Sequence, residues 1–336
     1  MTGKDISWSS SLKDRLQRKQ PSVFDKNYIV LSSYRPFFKQ YLYYDSKKTS
    51  GFTHRPGRWD DVFGDSVPKK DNLVIVTNQN IQDQSSILLM TKYYADMHFV
   101  GDSQCFPRYL YINNNGKYEK VDSITDTALN HFKTAYGEDN PISKDDIFYY
   151  IYGVLHSADY RSIYANNLGK ELPRIPRVAT YDQFKSFTEA GRKLSDLHVN
   201  YETQPEYSEV TIKGEETRNY YVNQIKCGKI PGKTGNASKD KSILLYNEDI
   251  TISNIPLEAQ EYVVNKKSAL DWIVERACVS TDKKSGITND FNQYGIEQGN
   301  PRYPLSLFLR IITVSLETIK IVKSLPKLEI HPLDKE

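Results

Sequence analysis

Residues 227–234 carry the side chains whose spacing comes nearest to a phosphate-binding loop. The run reads CGKIPGKT, in which a Gly-Lys-Thr triplet follows an earlier glycine. A nucleotide-binding loop needs four residues between that glycine and the triplet, so that backbone amides surround the phosphates. Only three residues intervene here, Pro231 removes one amide, and no helical pattern follows. The run therefore predicts a lysine-rich hairpin tip, which either contacts phosphates or is an inert surface loop.

His156, Ser157 and Asp159 have the residue types of a catalytic trio. Residues so close in sequence on a helix or turn cannot converge on one reacting atom. We therefore expect His156 to cap backbone carbonyls at a helix end. None of the six histidines has a second ligand at metal-ligand spacing, and no Gly-x-Ser-x-Gly elbow occurs, so the sequence predicts neither a metal site nor a catalytic site.

Basic residues cluster in two stretches, where they could contact a phosphate backbone. The first stretch holds, against the single acid Asp45, the cations Arg35, Lys39, Lys47, Lys48, Arg55 and Arg58. The second holds, against Asp240, the cations Lys226, Lys229, Lys233, Lys239 and Lys241. Since the net charge is only +3, it is these clusters that favour nucleic acid, over a Debye length of roughly 8–10 Å. The alternative for each cluster is a solvated face.

Aromatic and amide residues accompany the first cluster. Arg35 and Lys39 interleave with rings in segment 34–45, a pattern that suits either nucleic-acid contact or a strand with buried rings. We expect Phe37, Leu42 and Tyr44 to lie in the core. An amide-rich loop at residues 78–84 could read adenine edges or be an ordinary connection. The predicted DNA-contacting residues are Arg35, Lys39, Arg55, Arg58, Asn78, Gln79, Asn80, Arg108, Lys226, Lys229 and Lys233.

These residues lie on elements that the sequence pattern predicts. Short strands are indicated at residues 28–31, 41–44, 73–77, 85–90, 108–112, 209–213, 220–226, 242–247 and 250–252. Helices are indicated at residues 143–156, 159–168, 180–198, 256–264, 269–276 and 305–325. Residues 113–116 (NNNG) form a strong turn signal, and residues 228–241 are predicted to be a long hairpin loop.

The predicted fold class is α+β, with a strand-rich recognition block interleaved with helical blocks and a helical carboxyl end. The predicted segments are a basic linker with a short helix (1–22), a strand-leaning part (23–142), a helical segment (143–204), a β-hairpin segment (205–255) and a helical segment (256–336). Residues 23–336 could also form one composite domain.

Composition restricts the class of protein. Three isolated cysteines without a Cys-x-x-Cys pair predict no disulfide framework, so a reducing cytoplasm is expected. The most apolar segment, 305–316, is too short and too charged to span a bilayer, so no membrane partner is expected. The chain has 25 Tyr against 13 Phe, which suits either wide polar interfaces or a tyrosine-rich core.

Several collinear stretches resemble the carboxy-terminal specificity region of type ISP restriction-modification enzymes. The main stretch is residues 146–161 (DIFYYIYGVLHSADYR), followed by 164–168 (YANNL) and 171–176 (ELPRIP). The others are residues 34–37 (YRPF), 39–45 (KQYLYYD), 104–107 (QCFP), 268–273 (SALDWI) and 316–323 (LETIKIVK). They occur in the family's order between about residues 6 and 326.

The resemblance implies a module that recognises a double-stranded DNA sequence and does no chemistry itself. It would present an adenine to an N6-adenine methyltransferase and license a translocase and nuclease. S-adenosylmethionine, ATP and Mg would belong to those other modules. The chain lacks the methyltransferase motif Asn-Pro-Pro-Tyr, since residues 140–143 and 300–303 have no second proline. The alternative is a module that couples enzyme domains and contacts DNA only non-specifically.

Overall fold

The structure is a computed structural model that describes residues 10–45, 58–64, 69–78, 88–168, 170–283 and 286–332. Contacts divide these residues into two compact units. The large unit consists of the described residues in Arg18–Asn200, in Val264–Lys266 and from Lys320 onward. The small unit consists of the described residues up to Gln17, in Tyr201–Val263 and in Lys267–Ile319.

Helices and short strands alternate irregularly along the chain. The α-helices are α1 Ser10–Gln17, α2 Asp60–Phe63, α3 Asp126–Tyr136, α4 Lys144–His156, α5 Ala158–Ile163, α6 Ala165–Leu168, α7 Tyr181–Val199, α8 Ala269–Arg276, α9 Phe291–Glu297 and α10 Tyr303–Lys323. The strands are β1 Ile29–Arg35, β2 Phe38–Tyr43, β3 Val74–Asn78, β4 Leu88–Thr91, β5 Tyr94–Ala95, β6 Ser103–Pro107, β7 Tyr109–Asn114, β8 Lys117–Asp122, β9 Thr211–Lys213, β10 Lys226–Lys229, β11 Lys239–Leu245, β12 Thr251–Ser253, β13 Val263–Val264, β14 Lys267–Ser268, β15 Val279–Thr281 and β16 Thr288–Asp290. Single turns of 3-10 helix lie at Lys26–Tyr28, Tyr201–Thr203, Glu215–Thr217, Gly235–Ser238 and Leu257–Glu261.

The strands of the large unit form small separate sheets. Two three-stranded sheets have the orders β2-β1-β5 and β4-β3-β6, and β7 pairs with β8. The β7–β8 turn is the one that the NNNG run predicts, with Asn115 and Gly116 at φ 52° and 90°. Two consecutive positive φ angles are what a two-residue type I′ turn requires. The predicted α+β class is confirmed.

Two long helices, α4 and α7, form the framework of the large unit. A capping box begins α4, where Ser143 and Asp146 bond each other's backbone amides, and the Thr180 hydroxyl caps α7. Where the helices meet, Gly153 faces Gly191. A Cβ on Gly153 would collide with the carbonyl oxygen of Phe187, and one on Gly191 with that of Tyr149. The glycines therefore allow the two backbones to approach closely.

Buried aromatic residues fill the core of the large unit. Phe184, Phe187, Leu194 and Leu197 are buried along α7, as the predicted stripe requires. Tyr150, Tyr152 and Tyr160 are also buried, so a large part of the tyrosine excess is core material.

The small unit is built on an antiparallel sheet with the order β10-β11-β12-β9. Arg302, at the start of α10, hydrogen-bonds Glu206 at 2.7 Å and Glu215 at 2.7 Å. Tyr246 is buried and donates its hydroxyl to the carbonyl of Tyr220 at 2.6 Å. These contacts tie Glu206 and the connection between β9 and β10 to the start of α10 and to the residue after β11.

Two predicted elements of the small unit are wrong. Only the last residue of the strand predicted at 220–226 is in a strand, because the preceding residues bond side-chain amides: the Asn292 amide bonds both the N–H and the carbonyl of Val222. The helix predicted at 256–264 is a single 3-10 turn followed by a strand. Asn265 and Lys266 at φ 48° and 68° form the turn that ends that segment.

Cys105, Cys227 and Cys278 are free thiols. Within the described ranges, no helix is long and apolar enough to cross a membrane.

Candidate nucleic-acid interface

The predicted lysine-rich tip is a β-hairpin of the small unit. Strands β10 and β11 pair antiparallel, with Lys226 opposite Leu245 and Lys229 opposite Lys239. A register shift between Cys227 and Gly228 adds a bulge. A Cβ on Gly228 would lie 2.9 Å from the Cβ of Ile243, so a residue without a side chain is needed there. The hairpin is confirmed, and its strands extend further than predicted, leaving residues 230–238 as the connection.

The tip begins with a tight turn at residues 230–233. Pro231 is the second residue of that turn, Gly232 follows with φ 75°, and the Lys233 amide donates to the Ile230 carbonyl at 3.3 Å. Proline followed by a glycine of positive φ is the signature of a type II turn. A single 3-10 turn at Gly235–Ser238 and then strand β11 follow, rather than an α-helix whose amino terminus could hold a phosphate. The backbone therefore lacks the geometry of a nucleotide-binding loop.

The lysines of this hairpin point into solvent. Lys226, Lys229, Lys233 and Lys239 are all exposed. In contrast, Lys241 is half-buried and bonded to Asp271 at 2.6 Å. Lys239 is not among the DNA-contacting residues predicted from the sequence. Its position opposite Lys229 depends on the strand register, which the sequence does not show.

Arg35 and Lys39 lie on β1 and β2 of the large unit, where both contact rings. The Arg35 guanidinium bonds Asp96 at 2.9 Å, lies 4.0 Å from the ring centroid of Tyr34, and has a side chain only 15% exposed. Lys39 is half-buried, with its ammonium 4.9 Å from the ring centroid of Tyr93. Arg35 is thus engaged inside the fold, and Lys39 lies against a ring.

Arg108 makes a forked contact with Asp145 at the start of α4. Its Nε donates to Asp145 at 2.6 Å, and a second guanidinium nitrogen bonds the other carboxylate oxygen. Burial by itself would lower the pKa of Arg108, but the bonds to Asp145 outweigh it and raise that pKa. The pair joins the residue between β6 and β7 to the first turn of α4, so this guanidinium is bonded within the fold.

The other predicted residues of the large unit are scattered. Arg58 is 91% exposed and bonds Asp61 at 2.6 Å, three residues further on. Asn78 is the half-buried last residue of β3, opposite Ser103. Outside the described residues lie Arg55, Gln79, Asn80, Gln82 and Gln84. The described candidates therefore divide between two units, and among them the hairpin lysines are the set that shares one hairpin.

Two other sets of predictions are settled by burial and bonding. Phe37 and Tyr44 are buried as expected, but Leu42 is 37% exposed, so that assignment is wrong. Leu42 lies on β2, an edge strand, and the preceding residue Tyr41 is exposed as well. The ring of His156 bonds the Tyr152 carbonyl at 2.8 Å, which confirms its capping role. The Ser157 hydroxyl instead caps α5, so the trio does not converge.

The described residues contain no group of three or more His, Cys, Asp or Glu side chains placed to hold a metal ion. A cavity of about 220 Å³ in the large unit is lined almost wholly by apolar side chains, with Thr77 and Ser123 as its polar residues. Such a lining lacks the convergent polar groups that orient a cofactor.

Comparison with known proteins relates this fold to a class of DNA-processing enzymes. Residues 2–307 match the model of the type ISP C-terminal specificity domain. The chain belongs to this family, and the resemblance seen in the sequence is confirmed. A search among curated proteins finds no significant match.

Three solved structures have the same fold. The chain is 35% identical to the ATP-dependent type ISP restriction-modification enzyme LlaBIII, solved bound to DNA, with a TM-score of 0.82 over 98% of this chain and 20% of that one. It is 38% identical to a nuclease-deletion mutant of the type ISP enzyme LlaGI in complex with a DNA substrate mimic, with a TM-score of 0.76 over 98% and 23%. It is 28% identical to DrdV in a DrdV–DNA complex, with a TM-score of 0.78 over 97% and 31%. The chain thus spans between a fifth and a third of the length of these proteins.

Proposed function

We propose that this chain is the target recognition module of a type ISP restriction-modification enzyme and binds a specific double-stranded DNA sequence. The observation that carries the proposal is the match of nearly the whole chain, in sequence and fold, to proteins solved in complexes with DNA. The exposed lysines of the β10–β11 hairpin support it, because phosphate contacts supply much of the affinity of such modules.

The proposed task is to hold duplex DNA so that one adenine reaches an N6-adenine methyltransferase module. That partner flips the base out of the duplex before methylating it. Recognition by this chain would also license translocation and cleavage by the other modules. S-adenosylmethionine, ATP and Mg would bind to those modules, and the chain alone is not an enzyme.

Phosphate and base contacts have different functions in this proposal. Exposed cations such as Lys226, Lys229, Lys233 and Arg58 are the candidates for phosphate contact, because their ammonium or guanidinium groups reach solvent. Amide side chains at residues 78–80 are the candidates for base reading, at about 1–3 kcal/mol for each good pair.

The test is selection of duplexes from a random-sequence pool by the purified chain, at low salt and again at physiological salt. We expect enrichment of one short asymmetric site that persists at the higher salt, since base contacts depend less on salt than phosphate contacts. Binding that disappears with salt and enriches no sequence would contradict the proposal and favour a coupling module.

A further inference from the structure

Lys229 and Lys239 face each other directly across the β10–β11 ladder. The Ile230 amide donates to the Ser238 carbonyl at 2.7 Å, so the neighbouring pair 230/238 is hydrogen-bonded. Hydrogen-bonded and non-hydrogen-bonded pairs alternate along an antiparallel ladder. Lys229 and Lys239 therefore occupy a non-hydrogen-bonded pair, the position in which opposite side chains lie closest, with Cβ atoms roughly 4.5–5.5 Å apart.

Like charges at such a position repel each other and destabilise the hairpin. Within the described residues, neither lysine makes an ion pair that would offset this repulsion. The two nearby acids have other contacts: Asp240 accepts from the Ser242 hydroxyl at 2.6 Å, and Asp271 bonds Lys241 at 2.6 Å. The fold thus places two exposed lysines opposite each other on the ladder, and among the described contacts neither forms an ion pair with Asp240 or Asp271.

Local hydrogen bonds hold the backbone around this pair. The turn that begins the tip is closed by the Lys233-to-Ile230 hydrogen bond, and the Ser238 hydroxyl bonds the Gly235 carbonyl at 2.6 Å. Lys233 adds a third exposed cation beyond the pair. An anion bound between the two ammonium groups would remove their repulsion, and the hairpin would not have to rearrange to bind it.

We infer that Lys229 and Lys239 form a two-lysine clamp for one backbone phosphate of duplex DNA. The inference rests on the proposed function, which supplies the phosphodiester. It adds that Lys239 binds together with Lys229 and that the clamp has a cost in stability when it is empty. The same chemistry could hold the phosphates of a free nucleotide, so the test includes ATP.

The test compares the wild-type chain with the variants Lys229→Gln, Lys239→Gln and Lys239→Arg. Glutamine keeps the length of the side chain and removes its charge. Lys213→Gln is the matched control, because Lys213 is an exposed lysine on β9, the opposite edge of the same sheet. A labelled duplex of mixed sequence is the probe, because a phosphate contact does not depend on sequence. The dissociation constant is measured across a salt series, and thermal unfolding is measured without DNA.

We expect Lys229→Gln and Lys239→Gln each to bind the duplex about fivefold more weakly at physiological salt and to lower the salt slope by about 1, as loss of one phosphate contact predicts. Lys239→Arg should bind like the wild type, and Lys213→Gln should be close to it. In the absence of DNA, Lys229→Gln and Lys239→Gln should unfold at the wild-type temperature or above, since a repulsion is removed.

The failures of the two proposals are distinguishable. A wild-type chain that binds no duplex overturns both. A wild-type chain that binds, together with a Lys239→Gln variant of unchanged affinity and salt slope, overturns the clamp and leaves the proposed function. Equal weakening by Lys213→Gln also overturns the clamp, because only general charge would then matter. Competition by ATP at concentrations that leave the ionic strength unchanged would assign the clamp to nucleotides and overturn it for DNA.

Discussion

Tyrosine hydroxyls bind an extended segment of the large unit that has few backbone donors of its own. Pro173 and Pro176 lack amide hydrogens, so residues 172–178 are poorly suited to a β-ladder. The Tyr150 hydroxyl donates to the Pro176 carbonyl at 2.6 Å and accepts from the Val178 amide at 3.1 Å. The Tyr160 hydroxyl donates to the Arg174 carbonyl at 2.7 Å. These hydroxyls therefore hold the segment together with backbone pairing at its end, where the His331 amide donates to the Arg177 carbonyl at 2.8 Å.

Removal of the Tyr150 hydroxyl should destabilise the large unit. Tyr150→Phe leaves a buried carbonyl and a buried amide without this partner, at an expected cost of about 1–3 kcal/mol in the free energy of unfolding. Tyr149→Phe is the control on the same helix, because Tyr149 is half-buried and its ring contacts Arg192 at 4.3 Å from the centroid. The free energy of unfolding in urea is measured for both variants. Equal losses would mean that the hydrogen bonds of the Tyr150 hydroxyl do not contribute to stability.

Two buried histidines should make stability depend on pH. His156 bonds the Tyr152 carbonyl through Nδ1, and its buried Nε2 has no hydrogen-bond partner among the described residues. Burial lowers the pKa of His156 to about 4, and burial also lowers the pKa of His198, whose ring centroid lies 5.5 Å away. The unfolded chain thus binds protons at higher pH than the folded chain.

The sign follows from that difference in pKa. As pH falls from about 6.5 to about 4, the unfolded state is protonated first, so stability is lost with falling pH. For His156 alone the expected loss between pH 7 and pH 5 is about 2 kcal/mol. Carboxylates with lowered pKa, such as Asp146, lose their contribution only below about pH 4.

His156→Gln should remove part of this dependence on pH. The measurement is the free energy of unfolding in urea at pH 7 and pH 5 for the wild type and the variant. We expect a smaller difference between the two pH values for the variant, whatever its absolute stability. An unchanged difference would refute the assignment to His156.

At the scale of elements, the close approach of α4 to α7 depends on backbone contact as well as on side-chain packing. Gly153 and Gly191 stand where each helix meets the other's backbone, and a Cβ on either one would strike a carbonyl oxygen. Helix propensity alone would favour alanine over glycine by about 1 kcal/mol. Tertiary contact therefore decides these two positions against local preference.

Gly191→Ala and Gly153→Ala should each destabilise the large unit, by about 1–3 kcal/mol or more, because the helices must separate. Lys193→Ala is the control, since Lys193 is exposed on α7 and alanine is a good helix former. The measurement is the midpoint of thermal unfolding, monitored by circular dichroism, for the two glycine variants, the Lys193→Ala control and the wild type. Midpoints equal to or above that of the wild type for the glycine variants would contradict the close approach.

At the scale of the whole molecule, the hairpin lacks the geometry of a nucleotide-binding loop, and we therefore expect nucleotides and duplex DNA to affect thermal unfolding differently. ATP, GTP and S-adenosylmethionine should leave its thermal unfolding midpoint unchanged, because their sites would belong to other modules. Duplex DNA is the positive control and should raise the midpoint, since binding to the folded state alone stabilises it. A dose-dependent rise with ATP would restore the nucleotide-binding interpretation of residues 228–234.

Local patterns in the sequence were sufficient for much of the fold. The Ser143 cap, the stripe of α7, the NNNG turn and the helix at Ala269–Arg276 were predicted, because each depends on contacts within a few residues. Strands β6 and β8 and helices α3 and α9 were not predicted. All of them have weak periodicity; β6 pairs with β3, well before it in the chain, whereas β8 pairs with the adjacent β7 across the NNNG turn.

The sequence by itself determined the family and fold class, the hairpin, and the absence of a nucleotide-binding spacing, since these are properties of residue order. Only the tertiary structure decided which cations are exposed and which are engaged within the fold. In the sequence, nothing near Arg35 or Arg108 distinguishes them from an exposed arginine. In the structure, Arg35 bonds Asp96, 61 residues further on, and Arg108 bonds Asp145, 37 residues further on. The pairing of Lys229 with Lys239 depended likewise on strand register, because opposite positions of a ladder are set by pairing rather than by spacing.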